Sequence, residues 1–249
     1  MHCFDWTYAQ IKEELPNIAA AGFSAVQTSP AHPREPVGAA WYMLYQPYDY
    51  KVGENGLGTK EGLTELCTEA HQYGVKIIVD VVANHTNGSL SYVASFWQDQ
   101  SLYHDYQGGI DYSNRWQVTH GRLGMWDLKT EDSRVQEKIK EYVAELKSCG
   151  VDGIRWDAAK HIGLPSEGDT FWQNVPDQTM YNYGEILDGT GGDDTVSEKV
   201  EVVSQTTGVQ LHPVAGESSA KAMIYNLQGQ RVDANYHGVV VCNGRKYVQ

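Results

Sequence analysis

Gly150-Val-Asp-Gly-Ile-Arg-Trp-Asp-Ala-Ala-Lys-His161 is the stretch whose reading decides the fold. Val151, Ile154 and Trp156 form a short apolar run that reads as a buried strand. Strand side chains alternate faces, so Arg155 and Asp157 point the same way at its C-terminal end. An acid there is costly unless something uses it. The arginine two residues earlier is expected to hold that carboxylate ionised by lowering its pKa, as a nucleophile requires. A purely structural Arg/Asp contact at a strand end is the alternative, and this stretch alone does not separate the two.

Two further stretches share this build. Ile77-Ile-Val-Asp-Val-Val-Ala-Asn-His85 is a buried strand ending in polar residues, and Tyr181-Asn-Tyr-Gly-Glu-Ile186 is another that ends in Glu185. Helical periodicity fills the gaps. Thr7 can cap a helix with Tyr8, Ile11, Leu15 and Ile18 on one face, which Pro16 is expected to kink or split. Thr59 begins a helix whose buried stripe is Leu63, Leu66, Cys67, Ala70 and Tyr73, with Gly74 as its stop. Residues 132–149 put Val135, Ile139, Tyr142, Val143 and Leu146 on one face before Gly150. With the exit of a first strand at 2–6, a short strand at 24–28 and a short helix near Phe171, strand and helix alternate, the signature of a parallel α/β sheet. Residues 86–126 are aromatic, turn-rich and aperiodic, and a connection that long is usually functional.

The 249 residues are 41% hydrophobic, enough for a real core. A formal charge of −13 argues against nucleic acid or an anionic membrane as partner. No apolar run of about eighteen residues exists to span a bilayer. Seven Trp and sixteen Tyr offer flat rings that stack on sugar faces, although most rings in a domain serve packing. Cys3, Cys67, Cys149 and Cys242 show no metal spacing, and Cys67 and Cys149 read as small buried hydrophobes on helices. The first residues have neither a basic region nor a long apolar core, so no signal peptide is expected in this chain.

In order and separation, the stretches ending in His85, Asp157 and Glu185 resemble three sequence signatures of the alpha-amylase family, the family 13 glycoside hydrolases, over roughly residues 1–190. The resemblance implies an α/β fold: an incomplete (β/α)8 TIM-type barrel of about five β/α units, with functional residues at the C-terminal strand ends. A long excursion follows strand 3 and a small β segment closes the chain. The expected domain map is a partial barrel over 1–85 and 127–205, an inserted B-type domain over 86–126, a linker over 206–219 and a C-terminal β segment over 220–249. Asn243-Gly244 suits a hairpin turn in that last segment.

Asp157 is implied as the nucleophile and Glu185 as the general acid and base of a retaining glycosidase, with Arg155 beside them. Neighbouring parallel strands lie about 4.8 Å apart, and retention needs carboxylates about 5–5.5 Å apart, so adjacent strands suit that chemistry. Glu185 has to hold a proton at the outset, which a dry pocket favours, while Arg155 keeps Asp157 charged. His85 matches the histidine that bonds the sugar beside the scissile linkage, and Asp80 the framework acid behind Arg155. Tyr45, in Trp41-Tyr-Met-Leu-Tyr-Gln-Pro47, matches the stacking ring, with Trp41 and Gln46 nearby. Lys160 and His161 match the pair on the leaving-group side. A satisfied structural histidine and an aromatic loop that merely packs are the ordinary alternatives. The implied cofactor is Ca2+, held by side chains of Asn84 and Asp127 and carbonyls of Thr119 and His161. Asp127 simply capping a turn is the alternative there.

The implied activity is retaining endo-hydrolysis of α-1,4-glucans such as starch and maltooligosaccharides. It is expected to be weak, because the family's third catalytic acid, in an Asn-His-Asp type motif after a later strand, has no counterpart after Glu185. Asp188, Asp193 and Asp194 follow the fifth strand directly, the wrong place to replace it. Such an acid's contacts contribute several kcal/mol, so its loss slows turnover by orders of magnitude. A non-catalytic glucan-binding remnant and a transglycosylase of the same family are the alternatives. Five strands leave an apolar edge open, which predicts either a homodimer through the open barrel edge or cover by the C-terminal segment. The segments 225–232 and 238–244 resemble C-terminal tails of secreted Bacteroidetes-type proteins, and with the family this implies a secreted or cell-surface setting.

Overall fold

Five strands lie side by side in chain order, all parallel: β1 (His2–Cys3), β2 (Ala25–Thr28), β3 (Lys76–Val82), β4 (Gly153–Asp157) and β5 (Tyr181–Gly184). Between them run α1 (Tyr8–Ala20), α2 (Lys60–Gln72), α3 (Arg115–His120), α4 (Ser133–Ser148) and α5 (Phe171–Asn174). The computed structural model describes residues 1–34, 40–53 and 55–186, together with the backbone of four later strands. The loop at 189–194, the helix expected over 196–205, the linker over 206–219, the Asn243-Gly244 turn and Asp188 lie outside the described residues.

Strand alternation sorts the residues into two faces. Val26, Ile77, Val79, Val81, Ile154 and Trp156 are fully buried and meet the helices. Ile11 and Leu15 of α1, Leu63 and Leu66 of α2, and Ile139 and Leu146 of α4 are equally buried against them. Each such aliphatic side chain contributes roughly 1.5–3 kcal/mol by leaving water. Trp156 is enclosed edge-on by Phe171 and Trp172 of α5, and its indole N–H donates to Asn182 Oδ1 at 3.1 Å. The opposite face carries Gln27, Asp80, Arg155, Asp157 and Tyr183, so polar groups share one side of the sheet.

Helix ends follow local chemistry. Thr7 and Gln10 form a capping box on α1, and the Thr59 hydroxyl caps α2 by accepting from Gly62 N–H. Gly74 (φ +68°) and Gly150 (φ +92°) take the left-handed conformation that stops α2 and α4 and turns the chain into β3 and β4. The expected burial of Tyr73 and a split at Pro16 do not occur. Pro16 does not split α1, which runs unbroken: Pro16 is exposed, so its missing hydrogen bond falls on the water side while Leu15 and Ile18 pack on the other. Tyr73 is not buried but 44% exposed, because the helix ends before it and its position no longer follows the apolar stripe. The first strand is also shorter than expected, since the chain turns after Cys3 through Asp5 at φ +58°.

The aperiodic stretch after β3 is ordered by buried rings. Trp97, within the short 3₁₀ turn Ser95–Gln98, and Tyr103, which follows the turn Gln100–Leu102, are fully buried, and α3 is capped by Asn114. Isolated bridges His85–Asp127 and Tyr103–Leu128 return the chain to the end of β3. Cys67 and Cys149 are buried free thiols.

The chain divides into two compact units, Met1–Thr207 and Gly208–Gln249. The second is a four-stranded antiparallel sheet of β6 (Ile224–Asn226), β7 (Arg231–Val232), β8 (Val239–Cys242) and β9 (Arg245–Val248), in the order β7-β6-β8-β9. Among the described residues no helix is long and apolar enough to cross a membrane.

Candidate active site

Strand register assembles the acids. Asp80 of β3 lies opposite Arg155 of β4, and Arg155 opposite Tyr183 of β5. Trp156 pairs with Gly184, and the Glu185 N–H donates to the Trp156 carbonyl at 2.8 Å, which brings Glu185 level with Asp157. The Arg155 guanidinium then meets three carboxylates. Its Nη1 donates to Asp80 at 2.7 and 2.8 Å and to Asp157 Oδ1 at 2.9 Å, and its Nη2 lies 2.5 Å from Glu185 Oε1. Ala158, left-handed at φ +48°, turns the chain directly after Asp157 and donates its N–H to Glu185 Oε2 at 3.2 Å. Left-handed backbone is costly for a residue with a Cβ, and such strain gathers at functional sites. The carboxyls of Asp157 and Glu185 therefore face one compartment, within reach of the same cation.

One guanidinium facing three carboxylates changes the expected electrostatics. Asp157 is pushed up to about 7, by burial first and then by the charge of Asp80, against the pull of Arg155. Asp80 is pushed up to about 6, again by burial, with Arg155 and the Tyr45 hydroxyl opposing. The lowered pKa expected for Asp157 from its neighbour Arg155 is thus corrected: a cation shared three ways does not offset burial and like charge. The Glu185 side chain is 27% exposed and ion-paired, not enclosed in the dry pocket expected for it.

The acids open into a cleft of about 450 Å³, the size of a small-ligand site. Tyr45 forms part of its wall, with its hydroxyl donating to Asp80 Oδ2 at 2.9 Å and its ring lying nearly parallel to Phe4 at 6.5 Å. Trp41, 56% exposed, stands edge-on to Tyr45 at the rim. Lys160 and His161 also line the cleft; the Lys160 ammonium sits 4.7 Å from the centre of the Tyr112 ring, and His161 Nδ1 lies 2.7 Å from the Val118 carbonyl. His85 lines it too, but its Nε2 lies 3.0 Å from the Tyr45 carbonyl and burial pulls its pKa down to about 4, so the ring is neutral and held by protein. Gln46 is not brought into the wall; its amide oxygen accepts from Asn87. The cleft adds His2, Phe4, Tyr112, Leu123 and Met125 to the expected residues. Phe4 was findable as the residue leaving the first strand; the other loop residues follow no period.

The expected calcium donors fall into two pairs. Asn84 and Asp127 are both buried and in contact, the Asn84 amide nitrogen lying 3.1 Å from Asp127 Oδ1. Amide nitrogen and oxygen are interchangeable by a flip of the side chain. Burial pushes Asp127 up to about 6, so a nearby cation would relieve it. Thr119, on α3, and His161 form the other pair, joined where Arg115 of α3 donates to the Lys160 and Ile162 carbonyls. The donors are all oxygens, which suits a hard cation. His104 borders the first pair: its Nδ1 contacts Asp127 Oδ2 at 2.7 Å, and its ring lies 4.2 Å from that of His120, the residue after Thr119. Burial alone would lower the His104 pKa, but hydrogen bonds to Asp127 and Glu131 outweigh it and raise it to about 9.

The alpha-amylase catalytic domain, as a family model, matches residues 7–238 of this sequence. The chain belongs to the alpha-amylase family. An alpha-amylase of Clostridium acetobutylicum is 40% identical over 208 residues, covering 75% of this chain and 27% of the relative, so the chain spans about a quarter of that relative's length. Among solved amylases, one from Malbranchea cinnamomea shares 30% identity at a TM-score of 0.63, covering 74% of this chain and 41% of its own. A mutant alpha-amylase I of Eisenia fetida, solved with maltohexaose, has a TM-score of 0.68 at 24% identity, over 77% of this chain and 45% of that one. That second likeness speaks for the fold alone. Five parallel strands with helices between them are the wall of the amylase barrel, and the acids stand at the C-terminal strand ends where such barrels carry their chemistry.

Proposed function

We propose that this amylase-family chain supplies the acid pair of a retaining endo-hydrolase of α-1,4-glucans, starch and maltooligosaccharides among them. The observation that supports this most is the level position of Asp157 and Glu185 on neighbouring strands, both bound by Arg155 and both open to an aromatic-walled cleft. In the first step Glu185, which has to take up a proton and loosen from Arg155 as sugar fills the cleft, gives that proton to the departing glycosidic oxygen while an Asp157 oxygen attacks the anomeric carbon. In the second, Glu185 takes a proton from water, which attacks the same carbon and frees Asp157. Arg155 keeps both carboxylates in line. Tyr45 and Phe4 offer ring faces to the sugar, Trp41 extends that surface, and Lys160 and His161 supply donors on the leaving-group side. His85 acts chiefly by fixing the Tyr45 backbone.

The reading includes a Ca2+ ion held by Asn84, Asp127 and the carbonyls of Thr119 and His161, which would tie the stretch after β3 to the barrel end. Chelation is then expected to lower the unfolding temperature, and Asn84→Ala to abolish its recovery by added Ca2+. A substrate too large to enter a cell also favours a secreted or cell-surface setting.

A non-catalytic glucan-binding role has its own support. A nucleophile pushed up to about 7 is half protonated near neutrality. Release of reducing ends from soluble starch, measured beside retention on a starch gel, separates the two roles. Hydrolysis by the wild type that vanishes in Asp157→Asn supports the enzyme. Equal rates in both proteins refute it, and retention without hydrolysis gives the binding role.

A further inference from the structure

Outside the cleft, the segment after β3 gathers His104, His120 and Glu131 so that one potential ligand atom of each lies within 4.8 Å of the other two. The two imidazoles are only 4.2 Å apart between centres, with planes 38° apart. Each ring is held from its Nδ1 side. His104 Nδ1 lies 2.7 Å from the buried Asp127 carboxylate, and His120 Nδ1 donates to the Trp116 carbonyl at 3.0 Å, with the Thr119 hydroxyl at 2.9 Å. Trp116 also stacks on the His120 ring at 4.6 Å. His104 Nε2, in turn, points at Glu131 Oε1 at 3.1 Å.

A carboxylate or carbonyl on one ring nitrogen fixes the tautomer and aims the other nitrogen, the arrangement that surrounds metal-binding histidines. A divalent cation can take the place of the proton between His104 Nε2 and Glu131 Oε1, with the His120 ring alongside.

We propose that His104, His120 and Glu131 form a site for a divalent transition metal, zinc by the chemistry of its donors. Two imidazoles and one carboxylate suit Zn2+, whereas Ca2+ takes oxygen ligands. Tetrahedral zinc bonds of about 2.0–2.2 Å set ligand atoms about 3.4 Å apart, so the 3.1 Å between His104 Nε2 and Glu131 Oε1 already fits and the remaining adjustment falls on the His120 and Glu131 side chains. Neither is in the core, and His104, 5% exposed, stays where Asp127 holds it. Three protein ligands leave the fourth tetrahedral position to water. The site uses nitrogen atoms that the calcium donors do not, and it is independent of whether the cleft hydrolyses glucan.

Calorimetric titration of the chelator-treated full chain with Zn2+, in the presence of excess Ca2+, tests this. The wild type should take up one Zn2+, and His120→Ala and Glu131→Gln should each bind it more than about tenfold more weakly, beyond the least effect of losing an outer contact. Co2+ in the wild type should give the visible absorption of a tetrahedral site, diminished in both variants. Ca2+ affinity should be the same in all three proteins. Absence of saturable Zn2+ uptake, or equal Zn2+ affinity in wild type and variants, overturns the proposal. Parallel loss of Ca2+ affinity in the variants overturns the separateness of the two sites.

Discussion

Replacing Asp157 by Asn removes one of three carboxylates that share Arg155 while keeping the size of the side chain and an oxygen to accept from Arg155 Nη1, 2.9 Å away. Carrying a carboxyl from its ordinary value near 4 to about 7 corresponds to about 4 kcal/mol against the ionised form. Because the folded value lies above the unfolded one, folding holds the proton more tightly. The cost is absent below about pH 4, grows as pH rises, and is complete above about pH 7. Asp157→Asn should therefore lose starch hydrolysis and yet gain stability. In urea unfolding its stability should match the wild type near pH 4 and exceed it by about 2–4 kcal/mol at about pH 8, the range allowing for relaxation around the buried charge. A variant less stable than the wild type at pH 8 would mean that the attraction of Arg155 exceeds burial and like-charge repulsion, and the account of the three acids would fail.

Arg155→Met leaves Asp80, which is fully buried, without its cation, and should cost about 3–5 kcal/mol in urea unfolding. An unchanged midpoint would show that Asp80 is neutral in the folded chain. Gly184→Ala puts a Cβ where it would meet Ala159 Cβ at 2.6 Å. The overpacking should cost about 1–3 kcal/mol and displace the adjacent Glu185, lowering kcat more than it raises KM; unchanged kinetics would detach Glu185 from the reaction. Phe4→Ala removes the ring parallel to Tyr45 and should weaken maltohexaose binding by about 1 kcal/mol. Calorimetry showing equal affinity would make Phe4 a packing residue.

The frame of the fold was legible because its signals are local. Val and Ile runs mark β3 and β4, and Gly74 and Gly150 stop helices where only a left-handed residue fits. Adjacency of β4 and β5 is the simplest arrangement of consecutive strands, so the meeting of Asp157 and Glu185 could also be read. What failed depends on where groups face. The cost of Pro16 is set by which side of α1 meets water, and Tyr73 continues a period that the helix has already left. The protonation of Asp157 was illegible for a deeper reason. Arg155 is two residues away in the chain and visible, and the resemblance put Asp80 behind it, whereas the burial that outweighs the cation comes from the whole domain. His104 and His120 share no recognisable spacing; an aperiodic segment anchored by Trp97 and Tyr103 brings them together.

The shortage of positive charge around Arg155 also bears on what the cleft will favour. Glycosidic cleavage passes through a sugar ring that is transiently cationic, and surplus anionic charge fixed in advance stabilises that fleeting species more than the neutral sugar before it. On the proposed function, a sugar-shaped ring carrying a protonated nitrogen would meet permanently the attraction that a neutral sugar would meet only in passing. Such a compound should hold more tightly as rising pH strips the proton from Asp157.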